Sequence, residues 1–594
     1  MKNEMTGAEF IIDFLVKKGV HTISGIPGGA NLPLYDALQR SPIRHVLARH
    51  EQGAGFIAQG MARATGEPGV CFASSGPGVT NLATAIADAM MDSIPVLAIT
   101  GQVPTSLIGT DAFQEVDAVG IMTPITKAAF MIRNIDELQE RLEEAYHIML
   151  DGRPGPVLVD VPKDIQFAKM PAASRSFQAP SKPATFNRAP SNPTLSDSDI
   201  KTKDAEASLP SLPSTNSFHD KVKAIVAMLQ ESKRPLIYAG GGIVYAGAAD
   251  EFRALIDALQ IPAALTLMGL GTLPETHPLN LGMLGMHGNR STNHAIEEAD
   301  LILALGVRFD DRATGNVHTF AQNAKIVHID IDASEIGKNR SVEIGLCADL
   351  KEALTALLHA LHGYEKPIGQ SSWLDHIELL RKEDYLPEEW LDNPFHPVAL
   401  LRHLGEIAPA DAIFTTDVGQ HQMWAAQHLS LRGPRSFLTS GGAGTMGFGL
   451  PAAIGAALAY PERPVICITG DGSLFMNLAE LSTAAELNLN IKVLVFNNNH
   501  LGLVRQQQDL FYQKNFFAIR YDRPTDYAMV ARGMGFEARN ILHEQNVGEI
   551  LEAALSENGP VLLNIPIDEE QHVLPMVPPG KANIQAITPV ASTR

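Results

Sequence analysis

Cysteine is scarce in this chain, with only Cys71, Cys347 and Cys467 among 594 residues. No two of them stand at the spacing of a metal-binding or redox pair. So few thiols exclude a fold that depends on disulfides and favour a reducing compartment. We therefore expect a cytoplasmic protein whose domains are stabilised by apolar cores.

Long apolar runs and excess positive charge are also missing. No run of 18 or more apolar residues occurs, so we expect no membrane-spanning helix. The first residues show neither an apolar signal core nor an Arg- and Ser-rich transit segment. The 46 basic residues face 66 acidic ones, a net charge of −20. That balance argues against binding to nucleic acid or to an anionic membrane surface.

What the sequence does contain is a repeated alternation of helix-like and strand-like segments. With 594 residues, 45% of them hydrophobic, the chain is long enough for several domains, each with its own core. Short apolar strands followed by Gly-, Pro- or Ser-containing loops indicate parallel sheets covered by helices. We predict an α/β protein with three doubly wound parallel-sheet domains. The clearest predicted segments of the first domain are a helix at Ala8–Lys18 and strands at His21–Ser24, Val46–Arg49, Gly69–Ala73 and Val96–Thr100.

Changes in composition suggest where these domains end. A Pro- and Ser-rich stretch without apolar periodicity separates the first domain from the second, and a charged connector separates the second from the third. The predicted boundaries are a first domain at 1–167, a linker at 168–217, a central domain at 218–362, a connector at 363–394, a third domain at 395–567 and a tail at 568–594.

The most informative stretch lies in the third domain. Val465–Thr469 and Ile491–Phe496 are apolar and β-branched, which predicts two buried strands. Between them we predict a tight polar turn at Gly470–Ser473 and a helix at Asn477–Leu487. The second strand runs into three consecutive asparagines. The pattern is a strand–turn–helix–strand unit with polar residues after each strand.

Asp471 and Asn498 follow the two strands of this unit. Since the carboxyl ends of parallel strands meet at one edge of a sheet, both side chains should lie where open α/β sheets bind ligands. A carboxylate and an amide oxygen suit Mg²⁺, which completes its coordination with phosphate oxygens and water. Gly470 and Gly472 would let a phosphate approach the backbone closely. The alternative is an ordinary strand-to-helix turn and a strand that happens to end in asparagine.

The stretch from GDG to NN resembles the thiamin-diphosphate signature. In that family the aspartate, the second asparagine and a backbone carbonyl hold Mg²⁺, which implies Asp471, Asn498 and the carbonyl of His500. The resemblance also requires a glutamate in a separate domain, placed to exchange a proton with the pyrimidine ring of the cofactor.

Glu51 is the candidate for that glutamate. A helix of small residues is predicted at Ala54–Thr65, shortly after Glu51. By itself Glu51 could be a solvated carboxylate at the start of that helix, favoured there by the helix dipole. Its context, RHEQGAGFIAQGMARATG, resembles the corresponding segment of acetohydroxyacid synthase catalytic subunits. The same family is resembled by PGGANLPLYDAL, SSGPGVTNL, GTDAFQE and GRPGPVLVDVPKD. The thiamin diphosphate contacts that the resemblance implies are Glu51, Gly28, Gly29, Pro77, Asn81, Gln420, His421, Gly444, Met446, Gly472 and Ser473.

One competing motif is rejected. Residues 442–447 match the pattern G-x-G-x-x-G, and Glu462 follows at a suitable distance. In a dinucleotide-binding fingerprint the acid follows a strand, whereas Glu462 precedes one. We therefore do not predict an NAD site in the third domain.

The central domain carries signs of a nucleotide ligand. Strands at Pro235–Ala239, Leu301–Leu305 and Lys325–Ile331 enter glycine loops or end in acids. The stretches LMGLGTLP, MLGMHG, GVRFDDRATG and HIDID resemble the FAD-binding domain of the same synthases. Flavin-free catabolic relatives and a domain without ligand remain alternatives. The implied FAD contacts are Arg153, Gly241, Gly242, Met286, His287, Gly288, Gly306, Arg308, Asp310, Arg312, Asp330, Ile331 and Asp349.

The resemblance implies a reaction. Pyruvate would be decarboxylated on thiamin diphosphate and its two-carbon unit joined to a second 2-oxo acid, pyruvate or 2-oxobutyrate, in the first step of branched-chain amino acid biosynthesis. Glu51, Gln114 and Lys163 would be catalytic. Gln507 replaces a tryptophan that is usual in the family, so we expect little preference for 2-oxobutyrate. The residues implied to line the substrate channel are Ala30, Phe113, Asp311, Arg312, Leu503, Val504 and Gln507.

Other functions on the same fold stay open. A pyruvate oxidase, a simple decarboxylase or a non-catalytic nucleotide-sensing scaffold would share the architecture, whereas the presence of Glu51 argues against a glyoxylate carboligase. The resemblance implies a homodimer or a dimer of dimers with interfacial sites, and a small regulatory subunit. Residues 572–580 resemble the cover of the family's active site.

Overall fold

The computed structural model describes residues 4–170, 217–361 and 370–589. Within them, three parallel six-stranded sheets are each flanked by helices, which confirms the predicted α/β fold class. Residues 171–216 of the predicted linker and residues 363–369 of the predicted connector lie outside the described residues.

The first domain is built on a sheet of order β3-β2-β4-β5-β7-β6, and all of its neighbouring strands run parallel. A short antiparallel pair, β1 with β8, joins the two ends of the domain. Its strands are β1 (Met5–Thr6), β2 (Thr22–Gly25), β3 (Arg44–Leu47), β4 (Gly69–Ala73), β5 (Val96–Gln102), β6 (Ala128–Met131), β7 (Val157–Pro162) and β8 (Lys169–Met170). Its α-helices are α1 (Gly7–Lys17), α2 (Leu32–Gln39), α3 (Glu51–Thr65), α4 (Pro77–Asp92), α5 (Ala118–Met122), α6 (Leu138–Leu150) and α7 (Lys163–Phe167).

The central domain has the strand order β11-β10-β9-β12-β13-β14. Its strands are β9 (Pro235–Ala239), β10 (Ala263–Leu265), β11 (Asn280–Met283), β12 (Leu301–Leu305), β13 (Lys325–Asp330) and β14 (Ile344–Cys347). Its α-helices are α8 (Phe218–Glu231), α9 (Gly241–Tyr245), α10 (Ala249–Leu259), α11 (Arg290–Glu298), α12 (Asp311–Thr314) and α13 (Leu350–Ala360). Helices α14 (Gln370–Lys382) and α15 (Glu388–Asp392) then lead to the third domain.

The third domain has the strand order β16-β15-β17-β18-β20-β19. Its strands are β15 (Ile413–Thr416), β16 (Phe437–Leu438), β17 (Val465–Gly470), β18 (Ile491–Asn497), β19 (Glu537–Asn540) and β20 (Val561–Pro566). Its α-helices are α16 (Pro397–Ile407), α17 (Gln420–His428), α18 (Gly449–Ala459), α19 (Asp471–Met476), α20 (Glu480–Glu486), α21 (Gly502–Phe511), α22 (Tyr527–Gly533) and α23 (Val547–Ser556). Five short 3₁₀ helices complete the elements of the described residues, at Thr105–Leu107, Thr123–Ile125, Ile135–Glu137, Leu267–Gly269 and Asn583–Gln585.

The two outer domains share one topology. When only the strands of each six-stranded sheet are counted in chain order, the second strand lies at one edge, followed by the first, third, fourth, sixth and fifth. The central sheet instead runs third, second, first, fourth, fifth, sixth, which is the order of dinucleotide-binding folds. Two of these sheets therefore form a matched pair, and the third has a different ligand-binding edge.

The outer domains pack against each other through helices α3 and α18. Gly60 and Gly455 make this close contact possible, because a Cβ at either position would lie 2.2 Å from a carbonyl oxygen of the opposite helix. Phe56 and Phe448 add an edge-to-face ring contact with centroids 5.3 Å apart. The small residues of α3 thus allow the two outer domains to share one closely packed interface.

A buried ionic cluster lies beside these helices. The Arg63 guanidinium is only 4% exposed and forms ion pairs with Asp88 and Asp92 of α4, at 3.0 and 2.9 Å. It also donates to the carbonyl oxygen of Thr439 in the third domain. Moving any of these elements apart would leave a buried charge without its partner, which is energetically costly. The cluster therefore fixes the relative position of α3, α4 and the loop after β16.

The structure corrects three details of the third and first domains. The predicted turn Gly470–Ser473 is not a turn, since α19 starts at Asp471. The predicted helix over Asn477–Leu487 is shorter in the structure, where α20 covers Glu480–Glu486. Asn477 instead follows the end of α19, where it leaves helical geometry and donates its side-chain amide to the Gly447 carbonyl. Helix α3 begins at Glu51 itself, earlier than the predicted start at Ala54.

The chain after β20 returns across the third and central domains. Val573 exchanges two hydrogen bonds with the side chain of Gln506 on α21, and the Val577 amide donates to the Met286 carbonyl of the central domain. The tail segment 571–577 is therefore packed between two domains. Among the described helices, none combines the length and the apolar character needed to cross a membrane.

Candidate active site

Asp471 and Asn498 lie at the carboxyl edge of the third sheet. Strands β17 and β18 pair in parallel with Gly470 opposite Phe496. Asp471 therefore begins α19 directly after β17, and Asn498 directly follows β18. The expected juxtaposition of the two side chains follows from this register.

The oxygen atoms at this edge fit a cation. The Oδ2 atom of Asp471 is buried and has no hydrogen-bond partner. Burial raises the pKa of this carboxyl to about 7, although several backbone amides partly offset the effect. A divalent ion would supply the missing charge partner. Among the described residues, at this edge or outside it, no three His, Cys, Asp or Glu side chains cluster as metal ligands would.

His421 and Gln420, at the start of α17, differ in whether their side-chain nitrogens are free to bind a ligand. The Nε2 atom of His421 is buried without a partner, and burial lowers the pKa of the ring to about 3, so the imidazole is neutral. The Gln420 amide instead donates to Gln506 and to the Gln571 carbonyl, and its oxygen accepts from Asn498. His421 therefore has a free buried nitrogen for a ligand. The Gln420 side chain is already bonded, and it connects Asn498 to the tail residue Gln571.

Loop 440–447 borders the same edge and carries Gly444 and Met446. Gly444 has φ +62°, in the left-handed region. Asp92 accepts from the amides of Gly441 and Gly442, and Asp88 accepts from the hydroxyls of Ser440 and Thr445. Helix α4 of the first domain thus positions this loop. Of the other residues predicted here, Ser473 donates its hydroxyl to the Val418 carbonyl, and a Cβ at Gly472 would meet Leu501 and Tyr521.

A second group of predicted residues surrounds Glu51 in the first domain. Asn81 of α4 donates its amide to the Glu51 carboxylate at 3.0 Å. Pro77 begins the same helix, and Gln114, with φ +60°, lies against Gly76 just before it. Gly28 and Gly29 are in the loop after β2, where a Cβ at Gly28 would lie 2.4 Å from the Ser74 hydroxyl oxygen.

Each of these two groups makes its contacts within its own domain. The side-chain hydrogen bond of Glu51 is to Asn81 in its own domain, and Asp471 is contacted by Tyr527 and by backbone amides of the third domain. Among the described residues no hydrogen bond or ion pair joins the two carboxylates.

A large cavity lies where the three domains meet. Its volume is about 1150 Å³, and it opens at the point of the central sheet where β9 and β12 are neighbours and the strand order reverses. Ligands of doubly wound sheets bind at such a point. The backbone segments after β9 and β12 lie in close contact here, because a Cβ at Gly242 would lie 2.6 Å from the Cα of Gly306.

Most residues predicted to contact FAD line this cavity. They are Arg153, Gly241, Gly242, Met286, His287, Gly306, Arg308, Asp310, Arg312, Asp330, Ile331 and Asp349. Gly288 is not among the lining residues. Burial lowers the pKa of His287 to about 4, and its Nδ1 lies 3.2 Å from the Pro575 carbonyl of the tail. The cavity wall is therefore neutral at this point.

The residues predicted to contact substrate are spread over two surfaces. Asp311, Arg312, Leu503 and Gln507 line the same cavity. Phe113 is 86% exposed, Val504 is exposed, and Lys163 begins α7 after β7, while the Ala30 side chain is buried. Arg312 lies 3.8 Å from Asp311, an exposed ion pair of little energetic weight.

Several residues of the site were not predicted. Arg63, Asp88, Asp92, Glu480 and Gln506 all contact a second domain or the tail. The sequence contains a signal for Arg63, Asp88 and Asp92. They are charged residues within the small-residue helices α3 and α4, so they need buried partners. The partners themselves are distant in sequence.

Comparison with known proteins agrees with the architecture. Residues 5–121 match the family model "Thiamine pyrophosphate enzyme, N-terminal TPP binding domain". Residues 222–357 match the central domain of thiamine pyrophosphate enzymes, and residues 417–565 match the C-terminal TPP binding domain. Both outer domains of the chain therefore match domains that are described as binding TPP.

Full-length relatives narrow the family further. The chain is 47% identical over 587 residues to "Acetolactate synthase isozyme 1 large subunit" of Escherichia coli, covering 99% of this chain and 98% of the relative. It is 42% identical over 587 residues to the isozyme 2 large subunit of the same organism, covering 98% and 99%. It is 43% identical over 593 residues to "Probable acetolactate synthase large subunit" of Methanocaldococcus jannaschii, covering 99% and 96%. The chain belongs to the acetolactate synthase large subunits, within the thiamine pyrophosphate enzyme family.

Proposed function

We propose that this chain is an acetolactate synthase. It takes two molecules of pyruvate and releases the carboxylate of one as CO₂. The two-carbon fragment that remains, at the oxidation level of acetaldehyde, is joined to the carbonyl carbon of the other to give 2-acetolactate. The structural observation that carries the proposal is the unpartnered, buried Oδ2 atom of Asp471 beside Asn498, at the sheet edge where thiamine pyrophosphate enzymes bind their cofactor. A pyruvate or 2-oxobutyrate acceptor gives a precursor of branched-chain amino acids.

Thiamin diphosphate, when bound, supplies the electron sink that decarboxylation requires. The chain's own residues bind and orient it. Asp471, Asn498 and the carbonyl of His500 would hold Mg²⁺, and the free Nε2 of His421 would face the diphosphate. Glu51, held by Asn81, would exchange a proton with the pyrimidine ring. Gly444 and Met446 would support the ring system from the loop that Asp88 and Asp92 fix.

Other polar residues would handle the substrate. Gln114 lies next to the start of α4, close to the Glu51 group, where it can orient a bound 2-oxo acid. Lys163 and Arg312 carry the charge needed to bind a carboxylate. Phe113 is too exposed for a chain that acts alone, and we propose that a partner chain covers it. A covered, apolar centre would limit access of water to the reacting carbon.

FAD is the ligand that the central cavity supports best. The cavity has the strand-order reversal, the glycine contact of Gly242 with Gly306, and Asp330 at the end of β13. Equilibrium titration of the purified protein with FAD, followed by flavin fluorescence, tests this. Saturable binding of one FAD per chain is expected, and Gly242→Val should abolish it because the added methyl groups fill the contact.

We further propose a homodimer with interfacial centres, because Glu51 and Asp471 make their contacts in different domains. In a twofold dimer the first domain of each chain would meet the third domain of the other, which gives two equivalent sites. The matched relatives are named large subunits, so we also propose a small regulatory partner chain, testable by co-purification. We further propose that the enzyme acts in the cytoplasm, in keeping with its free thiols.

Product analysis tests the proposed function. The purified protein is incubated with pyruvate, Mg²⁺ and thiamin diphosphate, with and without FAD, and acetolactate is measured as acetoin after acid treatment. Acetolactate and CO₂ in equal amounts are expected, with FAD required. Formation without FAD would place the chain with catabolic enzymes, and acetaldehyde or acetate without acetolactate would refute the synthase function.

Replacement of Gln507 by tryptophan is expected to shift the choice of acceptor. Gln507 lines the cavity from α21, and an indole there would bury the extra methylene of 2-oxobutyrate. One methylene in an apolar pocket changes selectivity by roughly 10- to 100-fold. Competition between pyruvate and 2-oxobutyrate measures the ratio. Gln507→Ala is the matched control, and an unchanged ratio in Gln507→Trp would remove Gln507 from the acceptor pocket.

A further inference from the structure

Glu480 is a fully buried carboxylate at the boundary between the first and third domains. It is the first residue of α20, and none of its surface is exposed. No role is assigned to it by the metal site, the cavity or the predicted substrate residues. A charged side chain is seldom buried in this way unless several donors surround it.

The donors that surround Glu480 come mostly from the other domain. Its Oε1 atom accepts from the backbone amide of Arg49 at 2.8 Å and from that of His50 at 3.1 Å. Its Oε2 atom accepts from the Thr483 hydroxyl at 2.6 Å. Gly53 leaves room for the carboxylate, because a Cβ there would lie 2.3 Å from Oε1.

These contacts hold the corner of the chain from which Glu51 projects. Strand β3 ends at Leu47 and helix α3 begins at Glu51, so residues 48–50 form the corner. The amides of Arg49 and His50 precede the helix and cannot be satisfied within it. Burial raises the pKa of Glu480, while the donated hydrogen bonds oppose that rise. The carboxylate and the corner therefore complete each other's hydrogen bonding.

The two domains also contact each other at places that do not involve Glu480. The glycine contacts of α3 with α18, the Phe56–Phe448 ring pair and the buried Arg63 cluster lie further along α3. Loss of Glu480 would thus release the corner at the beginning of α3 while the rest of the helix stays packed. Such a local change acts on Glu51 in particular.

We propose that Glu480 is a positioning residue for Glu51. It acts across the domain boundary by fixing the Arg49–His50 backbone, and it touches neither substrate nor cofactor. The inference depends on the proposed role of Glu51 in proton exchange. It also means that the segment after Asp471, through α19 to α20, links the metal edge of one centre to the glutamate held by the same chain.

The test compares Glu480→Ala, Glu480→Gln and Glu486→Gln. Alanine removes both acceptors, whereas glutamine keeps a carbonyl oxygen for the Arg49 and His50 amides and turns its NH₂ toward Thr483. Glu486 lies on the same helix and forms an ion pair with the Arg49 side chain, but it is exposed. Glu486→Gln is therefore the matched control, because it removes a charge from α20 but no acceptor of the Arg49 and His50 amides.

Four readouts separate positioning from general damage. For Glu480→Ala we expect kcat to fall about 10- to 100-fold, since a small misplacement of a reacting group is costly. KM for pyruvate and the Kd for thiamin diphosphate should change less than about threefold, because the groups that bind them are intact. Exchange of the cofactor's C2 proton in D₂O should slow by the same factor as kcat. In the protein without cofactor, amide hydrogen exchange at residues 49–53 should become faster.

Glu480→Gln should restore kcat to within about threefold of the parent protein, and Glu486→Gln should match the parent. Normal C2-proton exchange in a folded Glu480→Ala protein would overturn the inference. So would a Glu480→Ala protein that loses turnover only in proportion to cofactor affinity. If Glu51→Gln itself keeps normal turnover, the proposed function of Glu51 fails, a result distinct from a failure confined to Glu480.

Discussion

Glu51→Gln is expected to lower turnover by about 10²- to 10⁴-fold while leaving the fold and cofactor binding intact. The amide has the shape of the carboxylate and can still accept the hydrogen bond from Asn81. It cannot take up and return a proton at the pyrimidine ring. Steady-state turnover and a thiamin diphosphate titration, measured on the same preparation, give the two quantities.

A second substitution shows whether this effect belongs to the position. Glu67 is an exposed glutamate just beyond the other end of α3, and Glu67→Gln removes the same charge from the same region. That variant should turn over normally. Turnover of Glu51→Gln within about threefold of the parent protein would refute the assignment of Glu51 as the proton-exchanging residue.

Asp471→Asn is expected to remove Mg²⁺-dependent binding of thiamin diphosphate. Asp471 supplies the only carboxylate among the three proposed metal ligands, and the amide carries no charge. Loss of a residue that merely supports a ligand weakens metal affinity by about 10- to 100-fold, so loss of the ligand itself should cost at least that much. Calorimetric titration with the cofactor at fixed Mg²⁺ measures the change.

The protein without cofactor should respond in the opposite direction. Burial raises the pKa of Asp471 to about 7, and its Oδ2 atom has no partner, so the neutral amide relieves a buried charge. The melting temperature of Asp471→Asn should therefore equal or exceed that of the parent protein. Asp411→Asn, at an exposed position before β15, is the control for the loss of one carboxylate. Unchanged cofactor affinity in Asp471→Asn would place the metal elsewhere.

The sequence was most informative where a segment is buried on all sides. Strands Gly69–Ala73, Pro235–Ala239 and Leu301–Leu305 were predicted with the bounds that the structure has. Strands in parallel sheets covered by helices are continuously apolar, so their ends are marked by the first polar or glycine residue. For the same reason the positions of Asp471 and Asn498 at one sheet edge could be predicted.

Features that depend on a distant partner could not be predicted. Asn477 ends α19 because its side chain bonds the Gly447 carbonyl, and no local pattern announces that contact. The small residues of α3 read as a helix, but their role in the close approach to α18 needs the second helix. No sequence motif marks Glu480. Only the folded chain shows which backbone amides it accepts from.

Co-expression of Glu51→Gln chains with Asp471→Asn chains tests most directly whether one centre takes its glutamate and its metal ligands from two chains. In a mixed dimer, one centre then combines an intact Glu51 with an intact Asp471, and the other centre has neither. With random pairing in twofold dimers, about a quarter of all centres are intact, so we predict recovery to about a quarter of parental acetolactate synthesis. Activity no higher than that of the separate variants would show that both groups act within one chain.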